Sequence, residues 1–402
     1  MNTARYSLVQ SAFYMMEDAV IGYSTYYLVS KGFSSSGVGI IIAVAALVAS
    51  LLQPVLGDFT DRTEKFSLQQ INSGLALVIL LSSGLVWLTH GNIGLVTALC
   101  FGINITIIFS GVPLVNALCM YYEARGIRIN FGVARGIGSG AYAVVAVIIG
   151  KLVDTGSFGA DFLPVITAIL SVLFIITVVT FRFNVGEATV QKAEASVTAY
   201  EADGGIAPAR GIMEFAHRYP RFILLICGVT LLFVGHNVLN NYMYQLVETM
   251  GGGSSQVGLA GSIAAVVEIP TMFAISLLLR KFSSGSMIRL SGIFFTVKFA
   301  ACFGALALGS MSLFMAAQTL QILGYALFTP AAVYYADRVV APSDAVKGQT
   351  YMNITLTAGC VIGSLAGGFL IDRIGVAPMM AVICLTSLAG TVITAVFADR
   401  SR

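Results

Sequence analysis

Long apolar runs, separated by short polar stretches, dominate this chain. Each run is close to the ~20 residues that a helix needs to cross a bilayer. The runs lie at 6–29, 37–57, 68–89, 93–120, 132–152, 162–183, 221–247, 257–279, 287–308, 311–337, 349–371 and 376–397. Only one connection between them is long and polar. The pattern predicts an all-α membrane protein of 12 transmembrane helices: one six-helix bundle over 1–183, a linker over 184–220 and a second six-helix bundle over 221–402.

Composition supports a membrane protein. The chain is 57% hydrophobic and 10% charged, whereas a soluble domain carries roughly a quarter charged residues. The net charge of +3 is small and scattered, which argues against a nucleic-acid partner. The six cysteines lie in apolar stretches without C-x-x-C spacing, so we expect neither a disulfide nor a metal site. No nucleophile–base set or cofactor loop is present, so we expect neither an enzyme nor a cofactor.

Lysine and arginine are divided unevenly between the two sets of connections. Of the 22 such residues, Arg135 and Lys298 fall inside spans, and only Lys31, Lys151 and Arg373 lie on one of the two sides. Positive residues favour the cytoplasmic side. We therefore predict a multi-pass protein of the bacterial cytoplasmic (inner) membrane, with both termini and the linker in the cytoplasm.

Three short motifs recur between the two halves. In the first two of the pairs named below, the motifs are 219 and 218 residues apart. The pairs are Ser35-Ser36-Gly37-Val38-Gly39 with Ser254-Ser255-Gln256-Val257-Gly258, Leu152-Val153-Asp154 with Leu370-Ile371-Asp372, and Tyr121-Tyr122-Glu123-Ala124-Arg125 with Tyr334-Tyr335-Ala336-Asp337-Arg338. They predict pseudo-symmetric bundles, with a substrate site near mid-membrane between them.

Six ionisable side chains lie inside the predicted spans: Glu17, Asp18, Arg135, His236, Glu268 and Lys298. A charge at the bilayer centre costs ~2.5–3.5 kcal/mol, so such residues face a protein interior or a watery cavity. Adjacent residues of a helix point about 100° apart. We therefore expect one of Glu17 and Asp18 to face the cavity and the other a neighbouring helix or water. The alternative is static pairing with Arg135, Lys298 or His236.

Polar side chains on several spans complete a predicted substrate-binding set. Amides cluster beside His236 on the seventh span, and two glutamines share one face of the tenth. Asn353 matches Arg135 by the internal repeat. The candidate substrate-binding residues are Arg135, Tyr142, His236, Asn237, Asn240, Asn241, Glu268, Gln318, Gln321 and Asn353, and the candidate proton-coupling residues are Glu17, Asp18, Glu268 and Lys298.

One connecting motif resembles the major facilitator superfamily, and the resemblance covers the whole chain. Gly57-Asp58-Phe59-Thr60-Asp61-Arg62 is similar to the superfamily's signature between the second and third helices. The resemblance implies the major facilitator fold. It also implies a gating role for Gly57, Asp61 and Arg62, which would latch helix ends together on the cytoplasmic side.

Within that superfamily, the chain is similar to the oligosaccharide:proton symporters, the relatives of lactose permease. Asn130-Phe131-Gly132-Val133-Ala134-Arg135, followed by Tyr142, resembles their fifth-helix motif. The resemblance implies that Arg135 bonds sugar hydroxyls and that Tyr142 stacks on the sugar ring. Val266-Val267-Glu268-Ile269-Pro270 resembles the segment whose glutamate binds sugar and couples the proton, and Lys298 stands in place of a family arginine.

The chain departs from that branch on the tenth and eleventh helices. The family's histidine and proton-carrying glutamate fall on Gln321 and Gly324, and two family lysines fall on Gln318 and near Gly359. Proton coupling by the same residues as in the permease is therefore not implied.

The sequence thus predicts a monomeric secondary transporter that imports a polar small solute, first a sugar or glycoside, together with a proton. Transport of nucleosides, aromatic acids or amphipathic drugs, by import or export, remains an alternative, and so does coupling to sodium. Glu268 and Lys298 can also form a salt bridge that only fixes packing. A non-transporting membrane ligand sensor is the alternative outside transport.

Overall fold

The computed structural model describes residues 2–62, 65–123, 125–154, 159–183, 212–341 and 344–399, and within these ranges it contains helices and turns but no strand. The first half contains α1 (Asn2–Glu17), α2 (Ser24–Ser30), α3 (Ser35–Arg62), α4 (Leu68–Leu88), α5 (Gly94–Glu123), α6 (Phe131–Asp154) and α7 (Phe162–Thr180). The second half contains α8 (Ile212–Arg218), α9 (Pro220–Asn241), α10 (Met243–Thr249), α11 (Ser254–Lys281), α12 (Ser284–Leu308), α13 (Met311–Gln318), α14 (Tyr325–Val339), α15 (Ala345–Ile374) and α16 (Val376–Phe397).

Eleven helical segments in the described ranges are long and apolar enough to cross a membrane. The first predicted span also crosses the molecule, but it is interrupted, because α1 and α2 are separated by a five-residue π-helical turn over Asp18–Gly22. The prediction of an all-helical membrane protein is confirmed. Residues 184–211 of the predicted linker lie outside the described residues, and its end forms α8.

Two other spans are interrupted at a comparable depth. The seventh span breaks at Tyr242, between α9 and α10, and the tenth passes through a 3₁₀ turn over Thr319–Ile322 before α14 begins. Tyr23 and Tyr242, 219 residues apart, have similar backbone angles, with φ −112° in both and ψ of 5° and 22°. Non-helical backbone inside a membrane is tolerated where it lines a cavity. The three breaks therefore indicate where a polar site lies.

Each half has its own apolar core. Rings such as Phe13 and Phe174, with centroids 5.5 Å apart, fill the first core, and Phe233 and Phe295, 5.9 Å apart, lie in the second. The halves pack on each other along α6 with α11 and along α3 with α15. We call the end of the molecule that carries Lys31, Lys151 and Arg373 the outer end.

The motif Gly57–Arg62 is not a loop. It forms the last turns of α3, which continues through Pro54 and ends at Arg62. The expected boundary at residue 57 was therefore too early, because five further residues remain helical beyond the apolar run. The side chains of Asp61 and Arg62 are outside the described part of the structure.

The short helix α8 anchors the start of the second half. Phe215 is fully buried, and its ring lies 4.7 Å from those of Tyr219 and Tyr351. Arg218 pairs with the buried carboxylate of Asp344 at 3.0 Å. These contacts hold the start of the seventh span against the core of the second half.

Candidate functional site

A cavity of about 270 Å³ lies between the two halves. Its walls come from the interrupted first, seventh and tenth spans and from α6 and α11. Of the residues expected at a substrate or coupling site, those that line it are Glu17, Asp18, Arg135, Tyr142, His236, Asn237, Asn240, Asn241, Glu268 and Gln321. The structure therefore brings most of the candidate polar residues to one space at the interface between the halves.

Both carboxylates of the first span line this cavity, contrary to the expectation that only one of them would. The π-helical turn begins at Asp18 and changes the rotation per residue from that of an α-helix. Glu17, the last residue of α1, and Asp18, the first of the wider turn, can then share a wall. One oxygen of each, Glu17 Oε2 and Asp18 Oδ2, is buried without a hydrogen-bond partner among the residues that the structure describes.

Gly22 makes room for the Asp18 carboxylate. A Cβ atom at Gly22 would collide with Asp18 Oδ1 and would lie 3.6 Å from the Tyr142 hydroxyl. That hydroxyl, on α6, lies beside the Asp18 carboxylate. The missing side chain at Gly22 therefore lets the carboxylate fold back over the turn and meet α6.

Arg135 is held by neighbours other than acids. Its guanidinium carbon lies 3.8 Å from the ring centroid of Tyr14, and its Nη1 donates to Ser139 Oγ at 2.8 Å. Among the described residues, the recorded ion pairs lie elsewhere, between Lys31 and Asp161 at the outer end and around Asp344. Since guanidinium has five N–H donors, Arg135 keeps donors for a ligand.

The seventh span supplies an imidazole and three amides. His236 stacks on Tyr325, with centroids 4.8 Å apart and planes 7° from parallel, and its Nε2 lies 3.0 Å from Asn240 Nδ2. With the amide as donor, Nε2 accepts, and the proton of a neutral ring sits on Nδ1, which has no partner. Asn237 Nδ2 donates to Phe233 O at 2.8 Å, and Asn241 Nδ2 donates to Ser364 Oγ at 2.9 Å.

Glu268 and Lys298 are joined through Gln321 and do not form the direct salt bridge considered from the sequence. Lys298 Nζ donates to Gln321 Oε1 at 2.7 Å, and Gln321 Nε2 donates to Glu268 Oε1 at 2.9 Å. All three side chains are buried. Because ammonium only donates, Lys298 orients the amide so that its NH₂ group faces Glu268.

Three candidate residues do not line the cavity. Lys298 lies behind Gln321 and reaches the cavity only through it. Gln318 is fully buried and donates to Phe314 O at 3.3 Å within its own helix. Asn353 is exposed on α15 and is absent from the lining. In this structure these three side chains therefore do not face the cavity, and the binding roles of Gln318 and Asn353 and the coupling role of Lys298 stay predictions.

Tyr14 and Ser139, which hold Arg135, are among the lining residues that were missed from the sequence. Tyr14 lies three residues before Glu17, and Ser139 lies four after Arg135. Residues three or four apart share a helix face. Extending the search by one turn from each charged residue would have found both.

The profile of the MFS_1 like family matches residues 6–382. The chain belongs to this family of the major facilitator superfamily. A curated relative, maltose permease of Geobacillus stearothermophilus, is 24% identical to this major facilitator protein over 391 residues, which cover 94% of the chain and 90% of the relative.

Solved structures have the same fold as this family member. A nucleoside transporter, NupG, superposes with a TM-score of 0.77 at 14% identity over 98% of each chain. A D-xylose-proton symporter gives a TM-score of 0.68 at 13% identity, over 100% of this chain and 97% of the other. At these identities the likeness shows the fold alone. Together with the family match, the findings identify a multi-pass membrane transporter of major facilitator type.

Proposed function

We propose that this protein imports a polar small solute, a sugar or glycoside first of all, coupled to protons by alternating access. The observation that carries the proposal is the cavity between the halves. Arg135 on one wall and the acids Glu17, Asp18 and Glu268 around it line a single space. Glu17 Oε2 and Asp18 Oδ2 are buried there without a hydrogen-bond partner among the described residues. A carboxylate oxygen that no neighbouring side chain uses can accept a hydrogen bond from a solute hydroxyl or take up a proton.

The wall chemistry suits a solute rich in hydroxyl groups. Hydroxyls donate to carboxylates such as Asp18 and accept from guanidinium and amide N–H groups such as those of Arg135 and Asn240. Tyr142 supplies an aromatic face on the same wall as Arg135. The relative that carries the name maltose permease supports a saccharide as the first candidate.

Glu268 is our proposed carrier of the coupled proton. Its Oε1 accepts from Gln321, which leaves the second oxygen for a proton or for the solute. Lys298 acts on it only through that amide. Glu17 and Asp18 form the second candidate proton site, because each has an oxygen with no hydrogen-bond partner in the described part of the chain.

Transport assays in oriented vesicles test the coupling role. An inward proton gradient should stimulate uptake of labelled maltose or another accepted saccharide, and Glu268→Gln should abolish that stimulation. Gln321 can still donate to the new amide oxygen, so the fold should survive. Solute exchange without a gradient should persist if Glu268 carries only the proton, and it should be lost if Glu268 also binds solute.

Glu248→Gln is the matched control, because Glu248 is an exposed glutamate near the outer end and accepts from Tyr244 at 3.1 Å. It should leave gradient-driven uptake unchanged. Full gradient-driven uptake by the Glu268→Gln protein would contradict the coupling role. Stimulation by sodium at constant pH would assign the coupling to that ion.

The aromatic side chains favour a nucleoside as the second candidate. Tyr14, Tyr142 and Tyr325 all line the cavity, and planar bases stack on aromatic rings. Competition between labelled maltose and unlabelled uridine or adenosine separates the two classes. Nucleoside uptake that maltose does not inhibit would replace the saccharide proposal.

The remaining assignments follow from the sequence. We infer a bacterial inner-membrane location with both termini and the linker 184–220 in the cytoplasm, and a monomer as the working unit. Gly57, Asp61 and Arg62 at the end of α3 are proposed to gate the cytoplasmic side.

A further inference from the structure

Two aspartates at the outer end lie apart from the proposed solute site. Each accepts hydrogen bonds from backbone N–H groups of the opposite half. Asp154 is the last residue of α6 in the first half. Its two carboxylate oxygens accept from the backbone N–H groups of Ser254, at 2.9 Å, and Ser255, at 2.6 Å. These residues begin α11 in the second half.

Asp372, close to the end of α15, makes the reciprocal contact. It accepts from the backbone N–H groups of Ser35 at 3.2 Å and Ser36 at 2.7 Å, which begin α3 in the first half. The two aspartates are 218 residues apart and the two serine pairs 219 apart. The first two repeated motifs of the sequence therefore contact each other: the aspartate motif of each half binds the serine motif of the other half.

The first N–H groups of a helix have no partner within the helix, and they carry a partial positive charge that favours an anion. Gly253, just before α11, has no side chain to cap them. A Cβ there would lie 3.0 Å from Asp154 Oδ1. Gln256 Oε1 accepts from the Gly253 N–H group at 2.9 Å, whereas the N–H groups of Ser254 and Ser255 are capped by Asp154 of the other half.

A second layer of symmetric contacts lies between the aspartates and the cavity. The Tyr23 hydroxyl donates to Ala146 O, and the Tyr242 hydroxyl donates to Ser364 O, both at 2.5 Å. Glycines of the opposite half face these hydroxyls. A Cβ at Gly258 or at Gly39 would lie 2.6 Å from the nearer tyrosine oxygen. Only glycine permits this backbone approach between the halves.

Tyr23, Ala146 and Gly258 also line the cavity, so this layer forms its wall toward the outer end. Tyr26 and Tyr244, from opposite halves, close the same region with ring centroids 4.9 Å apart. In alternating access the cavity opens to each side in turn. A solute that enters from this end must pass where the two halves now touch.

We propose that Asp154 and Asp372 are paired latches of an outer gate, each releasing a helix N-terminus of the opposite half when the cavity opens outward. Both carboxylates are exposed. An exposed charge at a helix N-terminus changes an equilibrium about two- to fivefold. Two such contacts hold the gate closed, yet they release readily enough to open in every transport cycle.

Distance measurements between spin labels test the latches without any solute. Labels are placed at Asn92→Cys and Ser312→Cys, exposed positions at the outer end of the two halves, after the six native cysteines have been replaced by serine or alanine. Asp154→Asn and Asp372→Asn should each raise the ratio of long to short label distances about two- to fivefold. The double variant should raise it by about the product of the two.

Asp161→Asn is the matched control. Asp161 lies at the same end and pairs with Lys31, but both residues belong to the first half. It should leave the label distances unchanged. The asparagine variants keep one acceptor oxygen and should fold, which a thermal melt verifies, and Asp154→Ala and Asp372→Ala should open the gate further.

Unchanged distances in the folded double asparagine variant would overturn the proposal. So would an equal shift in the Asp161→Asn protein. Because the proton gradient and the solute play no part in this measurement, its outcome is independent of the proposed saccharide and of the coupling role of Glu268.

Discussion

At the scale of single residues, the site depends on which polar groups are held and which are left free. Arg135 is positioned by Tyr14 and Ser139, and it forms no ion pair with an acid among the described residues. Lys298, by contrast, is connected to an acid. It donates to the amide oxygen of Gln321, and the amide nitrogen of Gln321 donates to Glu268. One cation is thus available to a solute, and the other sets the environment of an acid.

The bridging role of Gln321 can be tested against Gln318, a second buried glutamine of the same span. Gln321→Leu removes the acceptor of a buried ammonium, which costs about 1–3 kcal/mol or more. We expect a lower melting temperature and at least a tenfold loss of gradient-driven uptake. Gln318→Leu, in the fully buried glutamine that bonds only to neighbours away from the cavity, should retain uptake. Equal transport by both variants would refute the bridging role.

The charged residues of this site could be predicted from the sequence, but the bridge could not. Charges inside apolar runs are expensive, so Arg135, Glu268 and Lys298 stand out without any coordinates. A glutamine carries no such cost, and its role depends on two partners from different helices. The direct salt bridge between Glu268 and Lys298, an alternative from the sequence, gives way to this bridge through Gln321.

At the scale of helices, the interruptions are what bring the site together. The π-helical turn over Asp18–Gly22 sets two adjacent acids on one wall, and the 3₁₀ turn over Thr319–Ile322 carries Gln321, which lines the cavity. Apolar periodicity assumes 3.6 residues per turn. It predicts where spans lie, but it cannot show where a span departs from that repeat.

Substitution of Gly22 tests the first of these turns. In Gly22→Ala the new methyl group would occupy the space of the Asp18 carboxylate, and we expect gradient-driven uptake to fall at least tenfold. Gly74→Ala on α4 is the control, because a Cβ there meets nothing within 4 Å. Alanine in a helix interior is favoured over glycine by about 0.5–1 kcal/mol, so this control should fold and transport normally. Normal uptake by Gly22→Ala would show that Asp18 needs no such space.

At the scale of the whole molecule, two apolar cores meet along two symmetry-related helix pairs, α6 with α11 and α3 with α15. The repeats in the sequence predicted two similar halves. They did not show that each repeat would contact the other half, because spacing along a chain does not identify partners in space. That contact became visible only when the helix ends were placed.

The contacts between the halves should suffice to assemble them. We expect two separately expressed polypeptides, divided within 184–211, to co-purify from membranes and to restore gradient-driven uptake. Asp154→Asn together with Asp372→Asn should lower the recovered amount of the pair, whereas Asp161→Asn should not. Halves that fold but never associate would show that the covalent connection is required.

The reciprocal latches have an evolutionary consequence. Contacts in which residue i meets j and j meets i are those of an isologous dimer. Two copies of the first half would each present Asp154 to the Ser35 and Ser36 amides of the other copy. We infer that an ancestral six-helix unit closed the same outer gate as a homodimer. Fusion then allowed matched positions to diverge, as Glu17 and His236 have done, giving a symmetric frame an asymmetric interior.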